Sequence, residues 1–233
     1  MQISGINNFS LIEYPGEISC IVFTPGCNLR CGYCHNSEFV LAEKLKDIYN
    51  NLINEKSFFN FLEKRKGLLT GVSICGGEPT MQKDLIKFCE KVKSMGFLLK
   101  LDTNGRSPNI INELLEKGLV DYIAMDIKNE IGKFSISAGV LIDEKSYIKC
   151  IDSIMNSDID YEFRTTVIKG IHNKNSIENI VKYIKGSKNY SIQNFKGGNT
   201  LDEKFVGKSF SEKELEEFKN IAEKYIQNVN IRN

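Results

Sequence analysis

Three thiols, Cys27, Cys31 and Cys34, fall within one eight-residue stretch, Cys27-Asn28-Leu29-Arg30-Cys31-Gly32-Tyr33-Cys34. Thiolates held this closely in a loop are the donors that a soft metal or an iron–sulfur cluster takes, and three rather than four leave one coordination position for an outside ligand. The spacing also fits one helical stripe, since 27, 31 and 34 fall at i, i+4 and i+7. Against three cysteines buried on a helix stand Gly26 and Gly32, and Asn28, Arg30 and Asn36 extend no amphipathic pattern. A tetrahedral zinc site would need a fourth ligand from His35, Cys75, Cys89, Cys150 or His172, none with a partner spacing to recommend it. Three thiolates alone suit a 4Fe-4S cluster with one iron open.

The groups that could serve such a centre recur at the ends of β-rich runs. Strands are predicted at 18–24, 72–75, 97–101, 122–127, 161–168 and 190–194, with an N-terminal strand inside 1–16 and a closing one at 229–231. Helices are predicted at 56–66, stopped by Gly67, at 83–95, at 107–118 with Ser107 as N-cap and Pro108 behind it, at 143–156, at 175–184, and at 211–225 from a Ser211–Glu214 capping box. Residues 42–52 could form a further helix, and 132–139 read as an excursion rich in Gly and Ser. About six strand–helix units with short connections imply parallel strands joined by right-handed crossovers, either an open doubly wound sheet or a barrel-like arc. In both, functional groups gather at the C-terminal ends of the strands. The cysteine loop follows the first of these strands, Gly76-Gly77-Glu78-Pro79 the second, and Asp102-Thr103-Asn104-Gly105 the third. Asp126-Ile127-Lys128 ends the fourth, Arg164 lies in the fifth, and Gln193-Asn194 close the sixth.

The 233 residues suit a single domain covering 1–233, with a core over 17–200 and a C-terminal helix and tail over 201–233. A net charge of +1 gives no electrostatic argument for nucleic acid or a membrane surface. No basic leader or membrane-length apolar run is visible, and seven cysteines without a disulfide framework suit a reducing compartment, so a cytoplasmic protein is expected. Cys20, Cys75, Cys89 and Cys150 fall in strand or helix interiors and read as small buried hydrophobes.

The Cys-x3-Cys-x2-Cys loop with Tyr33 before its last cysteine, followed one unit later by Gly76-Gly77-Glu78-Pro79, resembles the radical S-adenosylmethionine (SAM) enzymes. More narrowly, Tyr14-Pro15-Gly16, Thr24-Pro25-Gly26, Tyr33-Cys34-His35-Asn36, Asp102-Thr103-Asn104-Gly105 and Asp126-Ile127-Lys128 are similar to activating enzymes of glycyl radical enzymes. The short chain with its opening Phe9-Ser10-Leu11-Ile12-Glu13-Tyr14-Pro15-Gly16 is most similar to activators of anaerobic ribonucleotide reductase. The resemblance implies a partial (β/α)6 TIM-like barrel. It implies one 4Fe-4S cluster on Cys27, Cys31 and Cys34, with SAM on the open iron. Gly76, Gly77 and Glu78 would meet the methionine moiety, and Glu78 its ammonium. Tyr33 would pack on adenine, with Asp102, Thr103, Asp126, Lys128 and Arg164 around the methionine carboxylate and a monovalent cation near Asp102 and Asp126. The implied reaction is reductive cleavage of SAM to a 5′-deoxyadenosyl radical that abstracts a glycine Cα hydrogen on the reductase, with a flavodoxin- or ferredoxin-type electron donor. Three alternatives stand beside it: an activase of another glycyl radical enzyme such as pyruvate formate-lyase, a radical SAM enzyme acting on a small molecule, and a zinc-stabilised interaction module. The segment 193–210 departs from the histidine-bearing segment of the pyruvate formate-lyase activators, which leaves the ribose contacts unassigned.

Overall fold

Short apolar runs punctuated by glycine dictate the local structure, and the computed structural model, which describes residues 1–233, follows them closely. The strands are β1 (Gly5–Ser10), β2 (Ser19–Thr24), β3 (Gly71–Gly76), β4 (Leu98–Thr103), β5 (Tyr122–Asp126), β6 (Asp160–Val167), β7 (Asn189–Asn194) and β8 (Asn228–Arg232). The helices are α1 (Ala42–Asn50), α2 (Glu55–Glu63), α3 (Leu85–Ser94), α4 (Pro108–Glu116), α5 (Phe134–Ala138), α6 (Glu144–Met155), α7 (Lys174–Tyr183) and α8 (Glu212–Ala222). The chain divides into two units.

The first unit comprises Met1–Asn28, Asn36–Thr103 and Ser107–Ile123. Within it β1 runs antiparallel to β2, while β2, β3 and β4 are parallel and stand in chain order. Strands covered on both faces read as near-continuous apolar runs, as in the buried Cys20-Ile21-Val22 and Val72-Ser73-Ile74. The rings of Phe58 and Phe59 from α2 close on Phe88 from α3, with centroids 5.4 and 5.2 Å apart. Burial of each such side chain is worth about 1.5–3 kcal/mol.

The second unit comprises Leu29–His35, Asn104–Arg106 and Ala124–Asn233. Here β6, β7 and β8 are parallel, again in chain order. Tyr161, Phe163, Tyr190 and Ile192 from the strands are buried with Tyr147 and Ile151 from α6, Ile177 and Ile180 from α7, and Leu215 and Phe218 from α8.

Several boundaries differ from the sequence reading for local reasons. α2 ends at Glu63, and Gly67, at φ +77°, serves the turn beyond it. α7 starts at Lys174, one residue early, because Asn173, with Ser176, forms the capping box. Ser107 makes no side-chain cap bond; its hydroxyl pairs instead with Thr80 Oγ1 at 2.9 Å. The excursion at 132–139 holds a five-residue helix closed by Gly139 in the left-handed region. The Ser211–Glu214 capping box forms as expected, with Ser211 N donating to Glu214 Oε2 at 2.8 Å.

Candidate active site

In the first unit the loop after β3 is stitched to the segment that leads into Cys27. Gly77 N donates to Thr24 O at 2.8 Å and Glu78 N to Gly26 O at 2.7 Å. A Cβ on Gly77 would overlap the Gly26 carbonyl, and one on Gly76, at φ +113°, would overlap Thr24 backbone. Both positions therefore require glycine.

Glu78 is buried, at 1% exposure, and its Oε1 accepts from Thr80 N (3.2 Å), Thr80 Oγ1 (2.6 Å) and Thr103 Oγ1 (2.8 Å). Three donors thus converge on one carboxylate oxygen and fix its orientation. Asp102 and Thr103 are the last residues of β4, and Asp102 pairs with Lys100, its neighbour on the same strand face. Lys100 is itself 1% exposed and also reaches Glu13 at 2.9 Å. Burial and the Asp102 charge push the Glu13 carboxyl up, against the pull of Lys100.

In the second unit Asp126 ends β5, and its two oxygens take two cations. Arg164 Nε, from the middle of β6, reaches Oδ1 at 2.8 Å, and Lys128 Nζ reaches Oδ2 at 2.8 Å. Burial alone would raise the Asp126 pKa, but Arg164 and Lys128 hold it well below the usual carboxylate range. Burial likewise works against a charged Lys128, and the Asp126 carboxylate keeps it protonated. Tyr147 donates to the Asp126 carbonyl, and His172 fixes the carbonyl of Lys128 at 3.1 Å. Because His172 Nδ1 accepts from Ile168 N at 3.1 Å, Nε2 carries the proton and donates.

The cysteine loop crosses the division of the chain, with Cys27 in the first unit and Cys31 and Cys34 in the second. Cys34 N donates to Cys31 O at 3.0 Å, which closes the turn between them. A strap after β7, missed in the sequence, holds this turn: Leu201 N donates to Cys34 O at 2.8 Å and Asp202 N to Gly32 O at 3.1 Å. His35 stacks on Phe195 at 5.6 Å and reaches Asn199 O with Nδ1 at 3.3 Å, so it orders the loop. On the other flank Arg30 N donates to Ala138 O at 2.8 Å.

Of the candidates for a fourth zinc ligand, His172, Cys89 and Cys150 are held elsewhere. Both ring nitrogens of His172 are hydrogen-bonded, Cys89 and Cys150 are buried in α3 and α6, and burial pushes the Cys89 thiol up to about 12. Cys27, Cys31 and Cys34 form no disulfide. The Tyr33 hydroxyl, buried beside Cys31 without a hydrogen-bond partner, is what a loop built to surround a charged sulfur centre would leave. The donor set fits a three-thiolate cluster.

Residues 21–219 match the radical SAM superfamily. The chain belongs to this superfamily. A radical SAM protein is an enzyme whose cofactors are a 4Fe-4S cluster and SAM. Over 99% of its length the chain is 36% identical to a protein of Methanocaldococcus jannaschii, provisionally named a glycyl-radical enzyme activating enzyme, and it spans 95% of that protein. It is 28% identical to the pyruvate formate-lyase-activating enzyme of Clostridium pasteurianum, over 79% of this chain and 77% of that enzyme. The structure of Streptococcus suis SuiB matches with a TM-score of 0.71 at 16% identity, covering 91% of this chain and 48% of SuiB. That likeness is one of fold. The two openings left by the strand–helix alternation thus resolve to the TIM-like partial barrel of radical SAM enzymes.

Proposed function

We propose that this radical SAM enzyme is an activase that installs a glycyl radical on a partner protein, and that the partner is an anaerobic ribonucleotide reductase. The observation that carries the activase reading is the 36% identity, along nearly the whole chain, to a relative named for that activity. The reductase as target rests on the opening Phe9-Ser10-Leu11-Ile12-Glu13. Similarity to a pyruvate formate-lyase-activating enzyme supports a second reading, in which the target is an enzyme of that kind.

In this reading Cys27, Cys31 and Cys34 ligate the cluster, and the chain acts as a single cytoplasmic domain served by a flavodoxin- or ferredoxin-type donor. Cluster and SAM together supply, when bound, one-electron cleavage of the sulfonium and removal of a hydrogen atom. The chain's own residues bind and orient. Glu78, oriented by Thr80 and Thr103, accepts from the methionine ammonium, while Gly76 and Gly77 admit backbone to its side. Arg164 and Lys128, positioned on Asp126, supply positive charge for the methionine carboxylate. Tyr33 offers its ring to adenine. No step needs a general acid or base.

The test is to mix the reduced enzyme, SAM and candidate glycyl radical enzymes without oxygen and record electron paramagnetic resonance spectra. A glycyl doublet on the reductase is expected. A doublet only on a pyruvate formate-lyase selects the second reading, and 5′-deoxyadenosine without a radical on any candidate overturns the activase.

A further inference from the structure

Tyr33 carries a polar atom that the fold does not satisfy. The residue is 5% exposed, and its hydroxyl has no hydrogen-bond partner. Buried tyrosines ordinarily place that group on an acceptor. The ring is held in place: Phe205 of the strap lies against it with centroids 6.0 Å apart, and Phe205 is in turn met edge-on by Phe195 at 5.7 Å. The two strap hydrogen bonds to the carbonyls of Gly32 and Cys34 fix the backbone on either side.

Cys31, Lys128 and Asp126 are the charged or ionisable groups that act on the hydroxyl. Asp126 already accepts from Lys128 and Arg164. The Cys31 sulfur lies beside the hydroxyl, yet the pair forms no hydrogen bond of good geometry. A neutral thiol is a weak acceptor, whereas a metal-bound thiolate is a charged one.

We propose that the Tyr33 hydroxyl donates a hydrogen bond to the Cys31 sulfur once that sulfur ligates the cluster, so that Tyr33 is a positioning residue that tunes the cluster's reduction. The proposal rests on Cys31 being a cluster ligand. Hydrogen bonds to cluster sulfurs favour the reduced, more negative form and raise the potential.

The experiment compares wild type with Tyr33→Phe after anaerobic reconstitution, reading iron and acid-labile sulfide, the cluster's midpoint potential, and iron–sulfur stretching bands in H2O and D2O. Sulfide content is expected to be equal, with the reduction equilibrium about tenfold less favourable in the variant, about 59 mV lower for one electron. The wild-type bands are expected to shift in D2O and those of the variant to lose that shift. Equal sulfide with an unmoved potential sinks the Tyr33 bond alone. So do wild-type bands insensitive to D2O, even where the variant holds no cluster. Absence of labile sulfide from wild type overturns the cluster reading and this inference together.

Discussion

Two strands carry an aspartate at the C-terminal end, Asp102 next to last in β4 and Asp126 last in β5, and the two units treat it in opposite ways. Asp102 shares the single ammonium of Lys100 with Glu13, so two carboxylates face one buried cation. Asp126 sits between Lys128 and Arg164, so one carboxylate faces two cations. Each unit supplies the counter-charge from close by: Lys100 from β4 for Asp102, and Arg164 from β6 with Lys128 just past β5 for Asp126.

The largest effect tests the side with one cation. Lys100→Met takes the shared ammonium away from Glu13 and Asp102, and removing one member of so buried a pair costs about 3–5 kcal/mol. Urea denaturation at pH 7 measures it. The loss should shrink toward pH 5, because protonating Glu13, already pushed up, relieves the repulsion. A loss that does not change with pH would break the charge argument. Asp126→Asn, on the side with two cations, should cost less, about 2–3 kcal/mol, since the carboxylate is 27% exposed and water screens what remains.

Glu78→Ala removes the acceptor of two threonine hydroxyls and one backbone N–H, for about 1–3 kcal/mol of stability. It should also weaken SAM binding by calorimetry while iron and sulfide content hold. Loss of iron would mean that Glu78 serves the cysteine loop and not SAM. The smallest effect concerns His172, whose pKa burial lowers. The unfolded state then binds the extra proton first, so stability is full above about pH 6.5 and falls as pH drops through the folded value, by at most about 1.4 kcal/mol per unit. His172→Gln should flatten that slope in thermal melts recorded from pH 7 to 5.

Much of this was legible in the chain. The strand–helix units, and the placement of Glu78, Asp102 and Asp126 at strand ends, followed from glycine punctuation and apolar runs, because those signals are local. Lys100 was not legible as a charge partner: it lies between Leu99 and Leu101 in a run that reads as strand, and only its i, i+2 relation to Asp102 hinted at a shared face. Glu13 reaches it from 87 residues away. The strap left no signal at all, since it grips the cysteine loop through the backbone of Leu201 and Asp202, and a main-chain N–H is the same in nearly every residue. α1 was left open in the sequence and has no buried residue, so its apolar face had nothing to announce.

The contact of Gly77 with Gly26 has a consequence for anyone who would redesign the turn after β3. The obstruction is main chain against main chain, so no change of rotamer or trimming of a neighbour can make room for a side chain at position 77. Only a shift of Pro25 and Gly26 could, and Cys27 is attached to the end of that segment. An engineer who widens this turn will therefore also move the Cys27 thiol.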